Sequence, residues 1–282
     1  MKYQNLLEKY IKICNNNLKE DGRVLSFIKK YRIYENYIFE NFFIGYSNGK
    51  LIELLGENEE LKKTFTEIGL LKNGREIFKS CVIIPIYDEN KAVINISGYN
   101  IYSQSKKKLI HLNDSGIFNQ SFLKNMKEII FTENPLESLI LIQNDYPNTT
   151  FLFGDDSKYV NFINDHKIKR AIFTFEGKMR LFYELSKNGV STKRVLIDFD
   201  KIKNAGAKEY LDKIFSGKGN SEDTQCSDLI QEIENGFLFQ FPHLNYRVIG
   251  NFSEYTMNIK ANIKVYNKEE VFVDSIDLYK NR

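Results

Sequence analysis

Between residues 127 and 200, short apolar runs alternate with stretches of helical periodicity, and few folds accommodate that order. The runs are 129–131, 150–153, 171–175 and 195–197; the helical stretches are 136–143, 157–165 and 179–187. Strands joined by helices run parallel, and a parallel sheet is covered on both faces. Gly189 stands where the third helix would end. The sequence therefore reads as α/β.

The flanking regions have different textures. From residue 2 to about 70, Leu6, Leu7, Tyr10, Ile11, Cys14 and Leu18 recur at helical spacing, as do Val24, Leu25, Ile28 and Tyr31. Gly22 reads as the break between these two helices. The run Phe42-Phe43-Ile44-Gly45-Tyr46 interrupts the series, Ser47-Asn48-Gly49 reads as a turn, and helices follow over 51–55 and 61–68, the latter closed by Gly69. Residues 82–87 and 92–99 read as a β-hairpin around Asp88-Glu89-Asn90-Lys91. Residues 201–235 look like a helical connection, with 216–224 as a flexible linker. The tail, 237–282, is strand-like: 256–266 alternates, 267–270 turns and 271–279 returns.

Composition narrows the class. At 42% hydrophobic and 27% charged, the chain can bury a core and is not wholly disordered. No run approaches the roughly 18 apolar residues of a membrane span. Met1 to Glu8 lack the apolar core of a signal peptide, so a cytoplasmic, reduced setting and no membrane are expected. Cys14, Cys81 and Cys226 form no CxxC pair, which argues against a disulfide framework and against zinc. A net charge of +3 announces no nucleic-acid partner; only a local basic stripe would. With 17 Tyr and 22 Phe, most rings belong in the core.

Ligands of an open parallel sheet bind at the carboxyl ends of its strands. The segments following the four runs are Thr132-Glu133, Gly154-Asp155-Asp156, Glu176-Gly177 and Asp198-Phe199-Asp200. Each carries a carboxylate. Such acids on one edge suit Mg²⁺, a hard cation taking oxygen ligands. The simpler alternative is that they cap the helices that follow. His111, His166 and His243 are scattered and suggest no base, the cysteines suggest no thiol nucleophile, and no GxGxxG or P-loop is present.

The order of segments resembles the catalytic core of bacterial DnaG-type primases, in the form found in mobile-element primase–helicase proteins. Gly45-Tyr46-Ser47-Asn48-Gly49-Lys50-Leu51 is similar to that family's "GYAPGKL". Gly69-Leu70-Leu71, Phe78 and Ile83-Ile84-Pro85-Ile86-Tyr87-Asp88 resemble its "AGLL … F…R(I/V)xFPIxD" stretch. Ser97-Gly98, Lys108 and Gly116-Ile117-Phe118-Asn119 fall at the corresponding places after it. Thr132-Glu133-Asn134-Pro135-Leu136-Glu137-Ser138-Leu139 resembles the first TOPRIM motif, and Phe175-Glu176-Gly177-Lys178 stands where the second, "DGDxAG", belongs. Asp274-Ser275-Ile276-Asp277-Leu278-Tyr279 is similar to a "DSLDLY" tail of the mobile-element branch.

The resemblance implies a TOPRIM-like parallel sheet (126–215) behind an N-terminal helical and mixed α+β domain (1–125), then a linker (216–235) and a C-terminal β-rich segment (236–282). It implies Mg²⁺ or Mn²⁺ held by Glu133 and Glu176, with Asp155 and Asp156 as further candidate ligands, and in-line phosphoryl transfer. Lys79, Lys106, Lys107, Lys108 and Tyr99 are the candidates for contacting nucleotide or single-stranded DNA. Partners would be single-stranded DNA, ribonucleotides and a replicative helicase or another replication protein.

The departures from the family pattern bear on activity. Glu176 and Lys178 replace the two aspartates of the second motif, the second change shifting the net charge by two positive units, and Lys178 is placed to pair with Glu176 and take the cation's position. Met179-Arg180 add bulk, Glu137 replaces an aspartate, and Cys81 and Tyr99 stand where basic residues belong. The zinc-binding module that precedes the core in full-length primases is not expected. The leading expectation is a primase-like replication protein engaging single-stranded DNA, with primer synthesis weakened or lost. An active primase, a non-catalytic interaction scaffold and a TOPRIM nuclease stay open.

Overall fold

The computed structural model describes residues 2–33, 35–103, 108–202, 206–216, 231–233, 236–241, 246–255, 258–267 and 272–280. The chain divides into two compact units, Met1–Lys193 with Ile197–Lys213, and Arg194–Leu196 with Ile214–Arg282.

The first unit opens with α1 (Lys2–Glu20), α2 (Gly22–Lys30) and α3 (Asn36–Phe42), then β1 (Gly45–Ser47), α4 (Leu51–Leu55) and α5 (Glu59–Ile68). Leu7, Tyr10, Ile11, Cys14 and Leu18 form the buried stripe of α1, as one helical face requires. Gly22 does not break the helices but begins α2; the break is Asp21, whose carboxylate accepts from the Arg23 amide. That is ordinary N-cap chemistry. Gly69 closes α5 in the left-handed region.

A small hairpin, β2 (Leu71–Lys72) with β3 (Arg75–Glu76), leads into β4 (Cys81–Tyr87), β5 (Val93–Asn100) and β6 (Leu109–His111). The sheet order is β1-β4-β5-β6, all pairs antiparallel. The expected hairpin is therefore present, its turn held by Asp88 Oδ1 accepting from the Asn90 and Ala92 amides. Pro85 lies beyond Ile83, the last residue of β4 paired with β1, where a strand with a neighbour on one side tolerates proline. Helix α1 crosses this sheet so closely that a Cβ on Gly45 would stand 2.6 Å from Cys14 Cβ. Only glycine fits there.

After the short α6 (Gln120–Leu123) comes the alternating region: β7 (Glu128–Thr132), α7 (Pro135–Gln143), β8 (Thr149–Phe151), α8 (Ser157–Asp165), β9 (Arg170–Phe173), α9 (Met179–Lys187) and β10 (Ser191–Arg194). The order is β10-β9-β7-β8, with β7 parallel to both β8 and β9. The expected parallel sheet is confirmed, with one correction: its fourth strand is Ser191–Arg194, not 195–197. An edge strand with one neighbour needs no apolar run, so the more hydrophobic residues just beyond it misled the reading. Helix α7 is buried nearly all round. Two short helices follow, α10 (Phe199–Ile202) and α11 (Ala207–Ser216). Most of the expected linker, 217–224, lies outside the described residues.

The second unit contains an antiparallel meander: β11 (Gln231–Ile233), β12 (Gly236–Phe241), β13 (Tyr246–Tyr255), β14 (Asn258–Asn267) and β15 (Phe272–Lys280), paired in chain order. The strand-like reading of the tail agrees with this.

Candidate functional site

In the sheet order β10-β9-β7-β8 the chain starts at β7, steps to β8, then returns to the other side of β7. The topological switch point lies between β7 and β9, and ligands of such sheets bind outside the carboxyl ends there. Glu133 follows β7 and Glu176 follows β9; both are exposed. The turn beneath Glu133 is held rigidly. Asn134 Oδ1 accepts from the Leu136 and Glu137 amides at 3.1 and 3.2 Å, and Glu137 Oε2 accepts from the Glu133 amide at 3.1 Å. This reciprocal capping fixes the start of α7. Burial, helped by the nearby Glu133 charge, pushes the Glu137 carboxyl up to about 7.

On the neighbouring β8–α8 turn, Asp155 accepts from the Ser157 amide at 3.2 Å and from its hydroxyl, which holds this carboxylate below its ordinary range. It holds the first residue of α8, whose N-cap is Asp156. Asp156 is half-buried and receives the Lys178 ammonium, Nζ to Oδ1 2.6 Å. Lys178, placed in the sequence to pair with Glu176, forms an ion pair with an aspartate on the β8–α8 loop. Lys178 reaches it from a left-handed backbone conformation, φ 49°.

Among the described residues no group of three His, Cys, Asp or Glu side chains is placed to hold a metal ion. Two of the four candidate ligands are already engaged: Asp156 is charge-paired with an ammonium, and Asp155 is held by Ser157. Lys178→Asp tests this directly. It replaces the attraction by two carboxylates side by side, so the variant is expected to melt lower in EDTA and to recover with Mn²⁺. The wild-type melting temperature is expected not to move with Mn²⁺; a wild-type shift as large as the variant's would refute the argument.

Of the candidate nucleic-acid contacts, Tyr99 lies in β5, Lys79 just before β4 and Lys108 just before β6. Lys79 is exposed and its stem lies over Gly49, where a Cβ would meet Lys79 Cγ at 2.6 Å. Lys108 is half-buried. Lys106 and Lys107 lie outside the described residues. Tyr99 is only 8% exposed, packed against Phe27 and Tyr31 with centroids 6.0 and 6.4 Å away. Its ring is core, and this corrects its reading as a surface for bases. Burial also raises its hydroxyl above the ordinary tyrosine range.

Sequence reasoning missed two residues. Glu76 is buried and accepts from the Tyr10 hydroxyl at 2.7 Å, the Ser47 hydroxyl and the Leu51 amide at 3.1 Å. Lys158 Nζ sits 3.3 Å from the centre of the Phe153 ring and donates to Asp114 O at 2.8 Å; desolvation lowers it to about 8. His111 stacks on Phe153 at 4.7 Å and shares a hydrogen bond with the Ser97 hydroxyl; burial, then the Lys158 charge, lowers it to about 4. Cys14 and Cys81 are free and buried, and burial pushes the Cys81 thiol up to about 12, far from a nucleophile's range.

Residues 13–127 match the family model described as the DNA primase catalytic core, N-terminal domain. No curated protein matches the chain. Among solved structures, the Aquifex aeolicus primase (zinc-binding and RNA polymerase domains) is similar at 20% identity and TM-score 0.63, over 77% of this chain and 60% of that one. The chain thus spans about three-fifths of that relative. A DNA primase domain from Pseudomonas aeruginosa is similar at 16% identity and TM-score 0.62, over 76% of this chain and 78% of that one. A DnaG primase catalytic domain bound to single-stranded DNA is similar at 12% identity and TM-score 0.61, over 76% and 78%. Residues 13–127 thus match the DNA primase catalytic-core N-terminal domain model, and the chain has the fold of the DnaG primase catalytic core.

Proposed function

We propose that the chain is a primase-like protein of DNA replication, of the mobile-element or plasmid type, that engages single-stranded DNA while RNA-primer synthesis is weakened or lost. The observation that carries this reading is the Lys178–Asp156 pair beside the switch point. An ammonium in place of a second-motif aspartate puts positive charge where two-metal phosphoryl transfer would place a cation. The N-terminal domain is assigned to 1–125, a TOPRIM-like domain to 126–215, a linker to 216–235 and a β-rich segment to 236–282. Lys79 and Lys108, with Lys106 and Lys107, are the proposed phosphate contacts, and Glu133 is the acid through which any residual metal-dependent activity would run. The single-stranded DNA named for a solved structure of this fold supports the choice of ligand. A helicase or another replication protein is the proposed partner, in the cytoplasm; among the described residues no helix is long and apolar enough to cross a membrane.

Labelled ribonucleotide incorporation on single-stranded DNA, with Mg²⁺ or Mn²⁺, tests the proposal alongside strand binding. The expected outcome is no detectable primer, with strand binding that weakens as salt rises. Primer that forms in the wild type and vanishes in Glu133→Ala would establish an active primase instead. Loss of strand binding from a folded wild-type protein would favour an interaction scaffold.

A further inference from the structure

The aromatic platform expected at Tyr99 is absent, but the same strand end builds another one three residues on. Asn100 organises it. Its backbone N–H donates to Lys108 O at 2.8 Å, and its side-chain amide donates to Lys79 O at 3.4 Å. Its side-chain oxygen accepts from the Tyr102 and Ser103 amides at 3.0 and 2.9 Å. One asparagine therefore fixes two lysine-bearing segments and a tyrosine around a single point. Tyr102 is 56% exposed, and its backbone N–H is held by Asn100. An exposed ring whose backbone is already fixed loses less freedom on binding. Arg23, paired with Asp21, stands within electrostatic reach of it.

We infer that Tyr102 is a stacking platform for a base of single-stranded DNA, with Lys79 and Lys108 on its flanks contacting the phosphates, and that Asn100 is the positioning residue for all three. The inference rests on the reading of the chain as a strand-binding protein. Base stacking on a tyrosine with flanking cations is the general chemistry of single-strand recognition, and Asn100 ties the backbones of Lys79 and Lys108 to the segment that carries the ring.

Fluorescence anisotropy of the full chain with labelled oligo(dT), and with a strand of the same length made of abasic sites, tests it. Tyr102→Ala is expected to weaken oligo(dT) binding about tenfold, and Tyr102→Phe, which keeps the ring, by less than about twofold. Tyr102→Ala should leave abasic-strand binding unchanged, whereas Lys79→Ala should weaken both strands alike and reduce the salt slope by about one. A Tyr102→Ala protein that binds oligo(dT) like the wild type overturns the inference, as does equal loss on both strands. If excess ATP displaces oligo(dT) from the wild type but not from Tyr102→Ala, the ring belongs to a mononucleotide site and the polynucleotide assignment falls. A folded wild type that binds neither strand overturns the parent reading together with this one.

Discussion

Replacing Glu76 with alanine is expected to lower the unfolding free energy by about 4 kcal/mol, which a urea melt would read. The carboxyl sits at the meeting point of four elements and accepts from three donors: Tyr10 of α1, Ser47 of β1 and the first amide of α4. Its removal strands two hydroxyls and a backbone N–H in a site where Tyr10 and Ser47 are almost wholly inaccessible to water. Each stranded donor costs about 1–3 kcal/mol, and the cavity adds to that. Glu76→Gln keeps one oxygen and is expected to cost about 1–2 kcal/mol. An alanine variant within about 1 kcal/mol of the wild type would show that water reaches these donors.

The second large effect concerns Glu137 and its pH dependence. Its carboxyl is raised from an ordinary 4.5 to about 7, chiefly by burial. Between those values the folded chain holds a proton that the unfolded chain has released, so stability declines as pH rises through this window. Above it the full penalty, about 3 kcal/mol, is present. Glu137→Gln removes the ionisation and leaves one of two accepted hydrogen bonds unmade. At about pH 8 the variant is expected to be more stable by about 2 kcal/mol, and at about pH 5 slightly less stable. His111 acts in the opposite sense: held neutral down to about 4 against an ordinary 6.5, it costs stability as pH falls through that interval. The two slopes oppose each other in the wild type, and Glu137→Gln is expected to expose the acid-side loss. A variant less stable than the wild type at both pH values would mean that the carboxylate is ionised and well paired.

Local patterning carried much of the fold. Helices α4, α8 and α9 have the boundaries that periodicity indicates, and the β4–β5 hairpin follows from its turn residues. The failures share a cause, which is that the deciding partner is distant in sequence. The fourth strand of the parallel sheet is polar because it is an edge, and edge position is a property of topology. Tyr99 alternates like any strand residue, and only the packing of Phe27 and Tyr31 from α2 and its C-cap makes it core. The contact of Lys178 with Asp156 spans 22 residues and has no signal in local spacing. Glu76 left no trace in spacing at all, since its three donors come from three separate segments. The clustering of acids at the strand ends was legible; that two of them were already engaged by Lys178 and Ser157 was not.

The meander of the second unit also has a kinetic meaning. Its strands pair strictly in chain order across connections of two to four residues, so almost every contact it makes is local in sequence. By contrast, joining β1 to β4 brings Gly45 to Ile83, and joining β7 to β9 must wait for α7, β8 and α8 to be made. Low contact order favours rapid folding, and long loop closure slows it. The meander is therefore able to form fast, as successive hairpins added to a growing edge. In a refolding experiment with amide-exchange labelling, protection over 246–280 is expected to precede protection of β7 and β9.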